Sequence, residues 1–280
     1  MKEITHSFEL FPPKTEAGME KMQAAVTELN RLSPRFFSVT FGAGGSTQER
    51  TFAAVDWLSG QGIDTAPHLS CIGSHSEEIR VILNRYRDQG VKRLVALRGD
   101  LPSGMGLSDP DEFRHANELV EFIRAETGDH FHIEVAAYPE FHPQSRDPKS
   151  DLENFKRKVE AGADSAITQY FYNADAYFRF VDSCANMGVD IPIVPGIMPI
   201  TNHVQLARFS DACGAEIPRW IRKRLEGFGE DLDAIRAFGL EVVADMCRKL
   251  LDGGAPGLHF YTMNQAGPTS RIWEDLGLSD

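Results

Sequence analysis

The chain has 280 residues, 42% of them hydrophobic and 25% charged, with no apolar run approaching the ~20 residues of a membrane span and no basic-then-apolar leader in MKEITHSFEL. A soluble, untargeted, cytoplasmic protein is expected, and the length suits one α/β barrel domain over 1–280. The net charge of −12 repels polyphosphate, which argues against a nucleic-acid partner and requires any anionic ligand to be held by a few local bases. Cys71, Cys184, Cys213 and Cys247 stand far apart without a C-x-x-C, so reduced, mostly buried thiols are expected, not a zinc knuckle or a redox pair.

Taken in chain order, β-branched or aromatic runs occur at HSFEL (6–10), RFFSVT (35–40), DTAPHLS (64–70), KRLVALR (92–98), FHIEVAA (131–137), DSAITQYF (164–171), IPIVPGI (191–197) and GLHFYT (257–262). Between them lie stretches with helical spacing, among them EAGMEKMQAAVTELNRL, SEEIRVILNRYRDQG, DEFRHANELVEFIRAE and LENFKRKVEAG, several closed by a C-cap glycine. Strand then helix, repeated, is the pattern of a parallel sheet, and eight such units predict a closed (β/α)8 TIM barrel of the α/β class. The long interval 198–256 breaks the even spacing and is expected to place extra helices between the last two strands, over the barrel mouth.

In such a barrel, chemistry collects where the strands end. Reading those ends gives Glu9, Thr40, His68, Arg98-Gly99-Asp100, Tyr138, Gln169, Pro195-Gly196 and Tyr261, a mostly polar set that predicts one large site. Alternation puts Ser7, Glu9 and Phe11 on one face and Phe8 and Leu10 on the other, forcing a carboxylate among aromatics. A carboxyl group in such surroundings tends to keep its proton near neutral pH, as a general acid must; the alternative is a structural Glu bonded to backbone or to a lysine. LVALRGD ends in a base, a glycine and an acid: Gly99 would let backbone approach a planar ligand and Asp100 could face a developing cation, or the three could form an ordinary turn.

The segment 41–47, FGAGGST, is a glycine-rich βα turn without the G-x-G-x-x-G pattern or a Walker lysine. DPKSDLENFKRK (147–158) opens a helix with capping residues and clustered bases, which suit either a diphosphate and ribose contact or a solvated face. His130, His132 and Glu134 alternate onto one face but stand at the start of their strand, away from the rim, so no metal site is expected.

Together SFELFPPK, FFSVTFGAGG, APHLSCIG, VALRGDLP, VAAYPEFHP, DLENFKRKVEAGADSAITQYFYN, VPGIMPITN and HFYTMNQA, in that order from residue 7 to about residue 266, resemble bacterial methylenetetrahydrofolate reductase. The resemblance implies a barrel that binds FAD without a Rossmann fingerprint. It also implies reduction of 5,10-methylenetetrahydrofolate to 5-methyltetrahydrofolate with NADH or NADPH, NADH being favoured, by ping-pong hydride transfer in one-carbon metabolism and methionine biosynthesis. FAD is expected to be noncovalent, since no Cys or His stands in a recognisable flavin-attachment motif. Folate and the dinucleotide are the expected partners, along with further copies of the chain in a homo-oligomer, without nucleic acid, membrane or metal.

By the same resemblance, Glu9 is the acid that protonates the folate ring nitrogen and Asp100 the carboxylate beside the flavin that stabilises the resulting cation. Gln169 is similar to an amide that bonds both pterin and nicotinamide carboxamide, Gln205 to a second amide near the substrates, and Phe209 to a ring on which a substrate aromatic stacks. Thr40, Phe41, Ala43, His68, Arg98, Gly99, Tyr138, His142, Asp151, Asn154, Arg157 and Lys158 match positions that contact FAD. The chain departs from the family pattern at Gln265, where Arg is common and would bind the folate glutamate, and at Phe41, where Tyr often stands. The other readings are the same folate reduction with electrons from a partner redox protein, and a flavin- or folate-binding barrel without turnover. No S-adenosylmethionine-binding regulatory domain is expected after residue 280.

Overall fold

In the computed structural model, residues 5–41, 45–72, 74–99 and 113–278 are described, 45–47 by their backbone alone. The elements run β1 (Thr5–Leu10), α1 (Glu16–Leu29), β2 (Phe36–Val39), α2 (Gly45–Gly60), β3 (Thr65–Ser70), α3 (Ser76–Asp88), β4 (Arg93–Leu97), α4 (Ala116–Thr127), β5 (His132–Ala137), α5 (Pro148–Glu160), β6 (Ser165–Thr168) and α6 (Ala174–Asn186). They continue with β7 (Ile193–Val194), β8 (Gly196–Ile197), α7 (His203–Cys213), α8 (Arg219–Phe228), α9 (Leu232–Asp252), β9 (Gly257–Tyr261) and α10 (Ala266–Asp275).

Every strand pairing is parallel, in the order β7-β6-β5-β4-β3-β2-β1-β9-β8. The two ends of that order, β7 and β8, are separated in sequence by Pro195 alone, so the run expected as one strand at 191–197 closes the barrel in two pieces. Proline has no N–H to give the ladder, yet its carbonyl still accepts from His259 N at 3.0 Å. The expected (β/α)8 barrel is therefore observed, each predicted strand in place, and α7, α8 and α9 fill the interval before the last strand.

Period-two alternation sorts the core into two layers. Phe8, Leu10, Phe37, Val39 and Leu69 point outward into the large cluster shared with the helices, while Phe36, Ala66, Val95 and Ile167 form a small apolar plug inside the barrel. At the N-terminal end of the strands lie Arg93, His132, Glu134 and Ser165: Arg93 is ion-paired to Glu134, and the Ser165 hydroxyl donates to Glu134 at 2.6 Å and lies 2.5 Å from His132 Nε2. His130 turns away, its Nε2 3.2 Å from the Val91 carbonyl. These side chains brace the barrel floor, and among the described residues no group of His, Cys, Asp or Glu has metal-site geometry.

Some helix bounds differ from expectation. α4 starts at Ala116 instead of near 111 because the Glu118 carboxylate accepts from the backbone N–H of Arg114 at 2.7 Å and of His115 at 3.1 Å, fixing the first turn there. α5 starts at Pro148, with Asp147 as N-cap accepting from Ser150 N at 2.7 Å. No helix among the described residues is long and apolar enough to cross a membrane.

Candidate active site

β1 ends inside the ring of strands with Glu9 opposite Ser38 on one side and Tyr261 on the other. Its inward direction follows from the alternation that sends Phe8 and Leu10 to the helix layer. Glu9 Oε2 lies 3.4 Å from His68 Nε2 and 3.9 Å from His259 Nε2, and its side chain keeps only 16% of its exposure. Below it, the Ser7 hydroxyl is 2.7 Å from His259 Nδ1, in full burial. Both Nε2 atoms are buried without a hydrogen-bond partner. Burial lowers the His68 pKa, with His259 acting in the same direction and the attraction of Glu9 opposing, so the imidazole is neutral at physiological pH.

The backbone around Glu9 is held by the turn that follows β9. Thr262 Oγ1 donates to the Glu9 carbonyl at 2.6 Å, and the Asn264 side chain both accepts from Phe11 N at 3.0 Å and donates to Phe11 O at 2.8 Å. Met263 and Asn264 adopt left-handed φ values of 53° and 54°, a conformation non-glycine residues hold only when neighbours enforce it. On the opposite wall the Tyr261 hydroxyl donates to Thr168 O at 2.7 Å, and Gly196 N to Thr168 Oγ1 at 2.9 Å. A Cβ on Gly196 would lie 2.1 Å from Thr168 O, so glycine is what lets these strands meet.

A cavity of about 510 Å³ opens above Glu9 and brings together Glu9, His68, Tyr138, His142, Gln169 and Phe209 of the expected residues. The Gln169 carboxamide oxygen accepts from Tyr170 N at 3.0 Å, and the Tyr138 and His142 rings meet edge to face at 4.6 Å. Asp151, in the first turn of α5, reaches the cavity through His142, accepting from its N–H at 3.0 Å and from Ser145 Oγ at 2.8 Å. Asn154 and Arg157 lie exposed further along α5, bonded to each other at 3.0 Å. Lys158 turns its ammonium inward onto the Ala136 carbonyl, and burial lowers its pKa to about 8 against the attraction of Asp151.

Thr40 and Phe41 follow β2 outside the cavity lining, Thr40 N bonding Leu10 O at 2.9 Å. Arg98 donates to Gln144, itself part of the lining. Gly99 has a reason of its own: its φ is +85°, and a Cβ would meet Ser70 Cβ at 3.0 Å. Gln205 lies exposed in the first turn of α7, outside the lining though one turn from Phe209. Gln265 stands at the N-cap position of α10 with no side-chain cap hydrogen bond and lines a different cavity. Ala43 and Asp100 lie outside the described residues. Ser7, His259, Thr262 and Asn264 were not singled out from sequence; the alternation that points Tyr261 inward also points His259 inward, which was the available signal.

A (β/α)8 barrel with a carboxylate and two imidazoles at its C-terminal mouth has the architecture of a small-molecule enzyme. The chain belongs to the methylenetetrahydrofolate reductase family, a family of oxidoreductases, whose sequence model matches residues 1–277. It is 38% identical over 277 residues to 5,10-methylenetetrahydrofolate reductase of Escherichia coli (strain K12), covering 99% of this chain and 92% of that one. It is also 38% identical over 286 residues to methylenetetrahydrofolate reductase (NADH) 1 of Arabidopsis thaliana, covering 98% of this chain and 48% of the longer plant protein. A solved structure from Clostridium thermocellum, described as binding two copies of 5-methyl-5,6,7,8-tetrahydrofolic acid, shares the fold with a TM-score of 0.67 at 16% identity, over 99% of this chain and 94% of that one.

Proposed function

We propose that this protein reduces 5,10-methylenetetrahydrofolate to 5-methyltetrahydrofolate in the cytoplasm, using noncovalently bound FAD and a nicotinamide dinucleotide, NADH in preference to NADPH. The observation that carries the reading is the Glu9 carboxylate at the head of the cavity, 3.4 Å from a neutral imidazole. A ligand that needs only holding has no use for a proton donor there. The NADH named for the plant relative supports the choice of donor.

The residues present fit a flavin. The buried His68 Nε2 lacks a partner, and the cavity of about 510 Å³ is of the size that takes a fused ring system. Asp151, Asn154, Arg157 and Lys158 recur along α5 at helical spacing, a polar face suited to the ribose and diphosphate in an otherwise acidic chain. Thr40, Phe41, Ala43, His68, Arg98, Gly99, Tyr138 and His142 complete the proposed cofactor contacts. When bound, the flavin supplies the hydride acceptor and donor that no side chain can provide.

Glu9 delivers a proton to the folate ring nitrogen as the ring opens. The Ser7 hydroxyl lies 2.7 Å from His259 Nδ1, which fixes the ring with its Nε2 3.9 Å from Glu9 Oε2. Neutral His68 places no fixed positive charge beside Glu9. Thr262 and Asn264 keep the Glu9 main chain in register with the mouth. Gln169 orients the pterin and the nicotinamide carboxamide, Phe209 stacks on the substrate's aromatic linker with Gln205 beside it, and Asp100 is assigned to the developing cation. The test is a purified yellow protein that bleaches anaerobically with NADH and regains its colour on adding 5,10-methylenetetrahydrofolate. A colourless protein, or one that bleaches and is not reoxidised, contradicts the proposal.

A further inference from the structure

Two walls of the cavity above Glu9 come from segments far apart in the chain. The loop between β5 and α5 brings Tyr138 and His142 to it, and α7 brings Phe209. Glu140 lies on that loop outside the lining, half-buried, and its carboxylate accepts from the backbone N–H of Glu216 at 2.7 Å, across 76 residues of sequence. Glu216 stands in the turn that joins α7 to α8. The bond therefore ties the wall that carries the two rings to the wall that carries Phe209.

Further features converge on the same seam. Gly214 closes α7 in a left-handed conformation, φ +76°, with its N–H donating to Ser210 O at 2.9 Å, and a Cβ there would lie 2.6 Å from Pro143 Cγ of the loop. Phe141, next to Glu140, also holds a left-handed φ of 76°, which an aromatic residue adopts only under constraint. The constraint is visible on both sides: Glu140 is held by the Glu216 N–H, and the His142 N–H is held by the Asp151 carboxylate at 3.0 Å. Where the loop meets Tyr170, Cys213 and Gly214, a crevice of only about 10 Å³ remains, so the two segments are in close contact. Burial pushes the Glu140 pKa up, the Glu216 N–H opposes, and the Glu216 carboxylate adds to the rise. A half-buried acid here costs desolvation that a solvent-facing one would not, and the bond to the Glu216 N–H offsets that cost.

We infer that Glu140 is a positioning residue: by bonding the Glu216 N–H it sets the spacing between Tyr138 and His142 on one wall of the cavity and Phe209 on the other. The inference rests on the reductase reading above, in which the first two contact the flavin and Phe209 stacks on the substrate. Glu9 belongs to β1 and is held through Thr262 and Asn264, so it takes no part in this clasp. Loss of the clasp therefore loosens the hold on flavin and folate and leaves the proton transfer in the saturated enzyme as it is.

The test measures the FAD dissociation constant, from the recovery of flavin fluorescence on dilution, and the KM and kcat for 5,10-methylenetetrahydrofolate at saturating FAD and NADH. A carboxylate bonded to a backbone N–H at a partly exposed site predicts, for Glu140→Ala, a folate KM and an FAD dissociation constant each raised roughly five- to tenfold, with kcat within about twofold of wild type. Glu140→Asp, too short to reach the same N–H, shows the same losses while keeping the charge. Glu140→Gln, whose amide oxygen still accepts, restores most of both. In the double variant Glu140→Ala with Phe209→Ala the two KM losses do not multiply, because the first already displaces the ring that the second removes. An unchanged KM or FAD affinity in Glu140→Ala, a fall in kcat without a rise in KM, a Glu140→Gln variant as impaired as Glu140→Ala, or KM losses that multiply in the double variant overturns the inference and leaves the reductase reading intact. A wild-type protein that holds FAD and never passes its electrons to 5,10-methylenetetrahydrofolate overturns the reductase reading itself.

Discussion

Glu9 Oε2 stands 3.4 Å from His68 Nε2, and burial keeps that imidazole uncharged, so the two do not form a fixed ion pair. An Arg or Lys in the place of His68 would set a fixed positive charge against the Glu9 carboxylate, which the neutral imidazole does not. The same burial has a consequence for stability. His68 and His6 both have folded-state pKa values lowered from 6.5 chiefly by desolvation, so below about 6.5 the unfolded chain binds more protons than the folded one. Stability is fully present above that pH and falls as pH drops through the window down to the lowered values. Urea unfolding at pH 7.5 and pH 5.5 checks this: His68→Gln should reduce the difference between the two, and an unchanged difference would contradict the assignment.

The barrel floor yields a coupling prediction. Arg93 and Glu134 form a buried pair, with side-chain exposures of 13% and 4%. Burial pushes the Glu134 pKa up, but His132, Arg93 and Ser165 together outweigh it and the net direction is down. Arg93→Met alone strands a buried carboxylate and should cost about 3–5 kcal/mol. Arg93→Met with Glu134→Leu should cost much less than the two single changes added together. Additive losses in denaturant titrations would show that the pair is not coupled.

Two glycines should behave in opposite ways. At Gly196 a Cβ would lie 2.1 Å from Thr168 O and 2.6 Å from Tyr261 Cε2, so Gly196→Ala should force the closing strands apart and destabilise by about 3 kcal/mol or more. At Gly267, inside α10, the space is open, and Gly267→Ala should stabilise by about 0.5–1 kcal/mol through helix propensity. Thermal melts of the two variants decide it; similar shifts would mean that the barrel closes differently.

Gln265 is exposed at the start of α10, so an Arg in its place gains only the worth of a solvent-facing charge pair, about 1 kcal/mol or less. Gln265→Arg should lower the folate KM up to about fivefold. An unchanged or higher KM would mean that the folate glutamate does not reach this position.

Much of the fold was legible because a parallel barrel buries its strands on both faces and so writes them as short apolar runs between helical ones. The break at Pro195 was visible as a residue, but its effect was not, since closing a barrel through two half-strands depends on what His259 offers from another strand. The rim residues Glu9, His68, Tyr138 and Gln169 were legible as strand ends. Ser7, His259, Thr262 and Asn264 were not, because the contacts between the β1 and β9 segments cross more than two hundred and fifty residues of sequence. Neither was the separate cavity that Gln265 lines, whose walls come from a loop and two helices that only the closed barrel brings together.

The central claim is that Glu9 serves the folate half of the reaction alone. Reduction of the flavin by NADH needs no protonation of folate, whereas opening the methylenetetrahydrofolate ring does. Glu9→Gln keeps the shape of the side chain and removes its acid proton. In anaerobic stopped-flow measurements the variant should bleach with NADH at a rate near wild type. On adding 5,10-methylenetetrahydrofolate it should then reoxidise slower by at least the ~10²–10⁴-fold typical of a lost general acid. Equal damage to both half-reactions, or damage to neither, would contradict the account.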